Sequence, residues 1–166
     1  MANKNEIFSG VKVKHGGLFV FKDFYKTMYG WLEKKSYDWK ELEYIDKQLP
    51  SGDKKVEISW EANKKVDDYT KFTLTIDFNA TFSEKEIEQN DKKKKMDDGA
   101  VEIKLGAFII TDYEDNWDKS PISKFIREIY DKYIIKGRLS KQEDDLYAEG
   151  MAFVEEIKTH LNLFKY

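Results

Sequence analysis

Apolar and polar residues alternate along much of the chain before Tyr113, and the period then lengthens to that of a helix. Ile7, Val11 and Val13 alternate with Lys12 and Lys14, which predicts a short strand over Ile7–Lys14. Gly16-Gly17 predicts a turn. From Leu18 to Lys35 the spacing is helical. Phe21, Phe24, Tyr25, Met28, Trp31 and Leu32 recur at offsets of three and four, with lysines on the other side. Gly30 interrupts that helix and suggests close packing against a neighbour. A weak strand follows over Trp39–Lys47, and Leu49-Pro50-Ser51-Gly52-Asp53 is a turn.

The next segments carry the clearest period of two. Val56, Ile58, Trp60 and Ala62 alternate with Glu57, Ser59, Glu61 and Asn63. After a turn at Asp67-Asp68, the strand Tyr69–Phe82 places Phe72, Leu74, Ile76, Phe78, Ala80 and Phe82 on one side. Residues 84–96 read as a charged edge strand or long hairpin arm, and Asp97-Asp98-Gly99 as a hairpin turn. Val101–Tyr113 points Val101, Ile103, Leu105, Ala107 and Ile109 one way, but Phe108 and Ile110 make its far end apolar on both faces. Ser120-Pro121 is a helix start, with a stripe through Ile122, Phe125, Ile126, Ile129, Tyr133 and Ile134 to a stop at Gly137. Ser140-Lys141-Gln142-Glu143 has the capping-box pattern, and a last helix runs to Phe164.

This order predicts one α+β domain over 1–166. A twisted antiparallel sheet of about five to six strands is covered by an N-terminal helix and two C-terminal helices. The order is similar to that of helix-grip folds, in which a long C-terminal helix lies across a curved sheet and can leave a cavity. Three segments, Lys92-Lys93-Lys94-Lys95-Met96-Asp97-Asp98-Gly99, Asp112-Tyr113-Glu114-Asp115-Asn116-Trp117 and Tyr130-Asp131-Lys132-Tyr133-Ile134-Ile135, together resemble a set of archaeal proteins of no assigned function. The similarity runs from about Trp31 to Phe164. The resemblance implies a microbial intracellular protein and no particular activity.

Composition narrows the chemistry. The 166 residues contain no Cys, which removes disulfides, thiolate nucleophiles and Cys-ligated metals. The 29 basic and 32 acidic residues nearly balance at −3, which argues against strong nucleic-acid binding. No apolar run approaches the ~20 residues of a membrane span, and the first residues hold no apolar signal core, so a cytoplasmic location is expected. His15 and His160 stand outside any ligand or catalytic motif, and no Gly-rich phosphate loop is present. No catalytic residue, cofactor-binding residue or cofactor is indicated.

Three features could carry function. The carboxylates Asp112, Glu114, Asp115 and Asp118 could bind a hard cation, though a solvated loop that stabilises the next helix start is the simpler account. Lys92, Lys93, Lys94 and Lys95 could contact phosphate. However, Glu84, Glu86, Glu88, Asp91, Asp97 and Asp98 surround them, and lysines on an edge strand also block edge-to-edge pairing. Finally, Phe108, Ile110, Tyr25, Tyr29, Met151 and Phe153 stand off the main apolar stripes. They suggest a covered surface, and hence a non-catalytic, self-associating homo-oligomeric module. The alternative is a helix-grip-like binder of an apolar small molecule, possibly enzymatic, with aromatic side chains lining its cavity.

Overall fold

The computed structural model describes residues 3–113, 125 and 136–162. Seven elements follow in chain order: β1 (Asn3–Phe19), α1 (Phe21–Lys34), β2 (Asp38–Gln48), β3 (Lys54–Lys65), β4 (Thr70–Gln89), β5 (Lys92–Thr111) and α2 (Lys136–Asn162). The strands form one antiparallel sheet of five in the order β1-β5-β4-β3-β2, so the first strand lies beside the last. The fold is α+β. The predicted helix over Ser120–Ile135 lies outside the described residues except for Phe125, which is helical and 63% exposed.

Alternation decides which face of the sheet is covered. Val56, Ile58, Trp60 and Ala62 of β3 are buried together with the even-numbered apolar residues of β4 and the odd-numbered ones of β5. The two helices among the described residues, α1 and α2, pack on this inner face. Phe24, Met28, Trp31 and Leu32 of α1 and Leu146, Phe153, Val154, Ile157 and Leu161 of α2 close one core with it. The outer face carries Lys12, Lys104, Asp77, Asn79 and Glu102, as expected for an antiparallel sheet with one wet side.

Glycine changes several of the predicted boundaries. Gly16-Gly17 is not a turn, because β1 continues to Phe19, and Gly17 takes a left-handed φ of 127° opposite Gly99. Gly99 in turn lies within β5, between Gly17 and Phe82. An added Cβ there would collide with the Thr81 carbonyl oxygen and lie 2.6 Å from the Phe82 Cα. Asp97-Asp98-Gly99 is therefore a close backbone crossing and not a hairpin turn. The hairpin closes instead at Asn90-Asp91, whose φ values of 53° and 62° make the two-residue primed turn that suits strand twist. Residues 84–96 are thus two paired arms, not one edge strand. Gly30 has no atom within 4 Å of where its Cβ would stand, so it marks no close packing. Gly137 and Ser140 both lie inside α2, so neither the stop nor the capping box acts as a helix end.

Two local devices anchor the helices. α1 ends in Ser36 at φ 67°, where Ser36 N–H bonds Glu33 O and Tyr37 N–H bonds Leu32 O, a Schellman closure. Two register shifts in β1, between Glu6 and Phe8 and between Phe8 and Val11, turn Phe8 toward α2. A Cβ on Gly150 would lie 2.6 Å from the Phe8 ring, so the missing side chain makes room for it.

Candidate functional site

The side of α1 next to its buried stripe carries Phe21, Tyr25 and Tyr29, spaced by four residues and only partly covered. The Phe21 ring lies against Phe78 and Phe82 of β4, whereas Tyr25 and Tyr29 face the edge strand β2. That strand would alternate simply, but its register shifts between Glu41 and Glu43, which leaves Leu42 as an extra, outward residue. Trp39, Glu41 and Tyr44 therefore share the inner face, opposite Ala62, Trp60 and Ile58.

Rings from both sides meet in a continuous set. Trp39 and Trp60 are 4.5 Å apart between centroids, Tyr25 meets Trp60 edge-on at 5.0 Å, and Tyr29 stacks on Trp39 at 5.6 Å with 24° between planes. Tyr25 also approaches Tyr44 at 6.5 Å, and Phe21 lies 5.7 Å from both Phe78 and Phe82. Above them opens a cleft of about 430 Å³ lined by Phe21, Lys22, Tyr25, Lys26, Tyr29 and Tyr44. This is the size of a small-ligand pocket.

Carboxylates hold the rings in place. Glu41 Oε1 accepts the Tyr25 hydroxyl at 2.9 Å and the Trp60 indole N–H at 3.1 Å, and Glu33 accepts the Trp39 indole at 3.2 Å. Burial, then the bond to Glu41, pushes the Tyr25 phenol up to about 12. Burial followed by Asp46 raises Tyr44 too. Both phenols are therefore neutral at pH 7 and offer flat apolar ring faces, with the Tyr25 hydroxyl donated to Glu41. Lys22 and Lys26 stand one helical turn apart and supply positive charge. The arrangement can stack a planar ring and hold an anionic group beside it.

A hollow of about 400 Å³ on the outer face, among Lys14, His15, Lys55, Asn79, Thr81 and Glu102, lies on one sheet alone and has no Phe, Tyr or Trp in its wall. Among the described residues no three His, Asp or Glu side chains are placed to hold a metal. Asp112 is only 2% exposed and so is not part of a solvated loop, whereas Glu114, Asp115 and Asp118 lie outside the described residues. His15 is buried, with Nε2 2.9 Å from Leu18 O, a packing role.

The residues expected to share a contact surface are dispersed. Tyr25 and Tyr29 wall the cleft on the helix side of the sheet. Phe153 is core, 1% exposed, with its ring 4.6 Å from Trp31. Met151 is half-buried on α2. Phe108 and Ile110 are half-buried on the outer face. The Phe108 ring covers Gly106, and Lys4 Nζ sits 4.1 Å above it. No single surface gathers the six.

No known protein family, curated protein or solved structure matches this chain. Function is therefore argued from the geometry. Sequence reasoning found Tyr25 and Tyr29 but missed Trp39, Glu41 and Tyr44, because the bulge at Leu42 hides their common face. Lys22 and Lys26 were legible only as the polar side of α1.

Proposed function

We propose that this chain is a helix-grip-like binder of a small planar aromatic anion, held in the cleft between α1 and β2. The observation that carries this reading is the row Phe21, Tyr25, Tyr29 and Tyr44 with Lys22 and Lys26 beside it. The strand order, with β1 beside β5 and α1 and α2 on the inner face, supports the helix-grip comparison. It differs in where the space lies. Trp31, Phe153 and Ile157 fill the interior beneath α2, so the ligand space opens at the side, against the edge strand.

The test is a titration with 8-anilinonaphthalene-1-sulfonate, itself a planar aromatic anion. It should bind at one saturable site, with emission rising as water is excluded. Tyr25→Ala, and separately Lys22→Glu with Lys26→Glu, should each weaken that site about tenfold. Equal affinity in parent and variants, at matched stability, would refute the proposal. A second copy of the chain is the competing occupant. Sedimentation equilibrium showing a dimer that the dye dissociates would favour it.

A further inference from the structure

Beyond Phe82 and Asp97 the β4–β5 hairpin leaves the sheet, because β3 pairing stops at Lys54 with Phe82 and β1 pairing stops at Phe19 with Asp97. From there the two arms pair only with each other, as far as Gln89 with Lys92. Among the described residues, no strand pairs with either edge of this two-stranded ribbon.

The pleat sorts its charges. Directly opposed residues share a face, so Glu84 with Asp97, Glu86 with Lys95 and Glu88 with Lys93 form one side. Lys85 with Met96 and Ile87 with Lys94 form the other. Lys92 falls on the same side as Lys94, two residues along. The ion pairs obey this division: Lys95 meets Glu84 at 3.5 Å on the first face, and Lys85 meets Asp98 at 3.8 Å on the second. The surrounding acids therefore cancel Lys93 and Lys95, but not Lys92 and Lys94. One face is acidic; on the other, Asp98 pairs Lys85 beside the buried Met96, and Lys92 and Lys94 near the tip keep uncompensated positive charge.

We propose that this basic face docks on duplex nucleic acid, with the ribbon lying along the major groove and the acidic face turned to solvent. Two strands ~4.8 Å apart with their side chains match the ~12 Å width of that groove. A lipid surface fits less well. The ribbon tip is Asn90-Asp91, which brings a polar turn and a negative charge where an inserting tip would need apolar groups. With two uncompensated lysines the contact is weak and sequence-independent. The whole-chain charge of −3 further limits it at physiological salt.

Fluorescence anisotropy with a short labelled DNA duplex at low salt tests the proposal. Binding should fall with salt at a log–log slope of about −2, the value for two neutralised phosphates. Lys92→Glu with Lys94→Glu should weaken it about tenfold or more, and Lys93→Glu with Lys95→Glu by less than about threefold. The milder pair Lys92→Gln with Lys94→Gln repeats the comparison if the reversed charges disturb the ribbon. Equal losses in the two pairs, no binding at low salt, or tighter binding to phosphatidylserine vesicles than to the duplex would each overturn the proposal.

Discussion

The carboxylate of Asp97 accepts the backbone N–H of Phe21 at 2.8 Å, so a residue of β5 caps the first turn of α1 across 76 positions of sequence. Val20, at the N-cap position, makes no side-chain cap of its own. The same bond ties the base of the two-stranded ribbon to the first ring of the cleft. Asp97→Ala should cost about 1 kcal/mol in denaturant unfolding, as losing an N-cap does. It should also weaken dye binding, because Phe21 is freed. Asp97→Asn, which keeps an acceptor, should retain most of both.

Gly30 offers the opposite case. It sits inside α1 with open space around its missing Cβ. Gly30→Ala should therefore raise stability by about 0.5–1 kcal/mol, the ordinary helix preference of Ala over Gly. A loss of stability would show that something packs there. Gly99→Ala should behave in the reverse manner. Its Cβ would meet backbone, which cannot step aside, and the cost should exceed about 3 kcal/mol or prevent folding.

Alkaline pH should destabilise the fold in a way that one tyrosine controls. Tyr37 donates its hydroxyl to Glu149 Oε2 at 2.9 Å, and Lys64 Nζ meets Glu149 Oε1 at 2.6 Å. Burial, and then the charge of Glu149, push the Tyr37 phenol well above its ordinary 10.0. A pKa raised by folding means that the folded state holds the proton more tightly. The resulting stability is complete below about pH 10 and is lost as pH rises above it. The denaturation midpoint should fall above about pH 10, and Tyr37→Phe should flatten that fall. Spectrophotometric titration should show Tyr25 and Tyr37 ionising above the ordinary tyrosine range.

The outer-face aromatic has a role within the chain. Phe108 covers Gly106, lies under Lys4 and is half-buried within the chain. Phe108→Lys should leave the sedimentation profile unchanged and lower stability, since Gly106 loses its cover. A species lost on that substitution would restore a subunit contact at this end of β5.

How legible the fold was depends on which elements keep a simple period. β3, β4 and the body of β5 were readable because each alternates without interruption over a half-buried sheet. α1 was readable because its stripe from Phe21 to Leu32 recurs at helical offsets. The errors fall where glycine or a bulge breaks the period. Gly17 and Gly99 have the composition of turns, yet both sit inside strands, Gly17 with a left-handed φ of 127° and Gly99 where the neighbouring backbone leaves no room for a side chain. Asn90-Asp91 lacks the usual glycine, and the lysine run beside it drew attention to charge instead of to the turn. The cleft was half visible. Tyr25 and Tyr29 stood out on α1, but their partners on β2 could not be placed without the register shift at Leu42. The capping of α1 by Asp97 depends on a tertiary contact and leaves no local signal.

The most direct test of the aromatic-anion cleft is a 1H–15N correlation titration with 8-anilinonaphthalene-1-sulfonate. The largest shift changes should fall on Phe21, Lys22, Tyr25, Lys26, Tyr29 and Tyr44, together with the indole N–H signals of Trp39 and Trp60. Resonances on the outer face, such as those of Asn79 and Glu102, should stay in place. Changes centred on the outer face, or scattered without saturation, would contradict the assignment of the cleft.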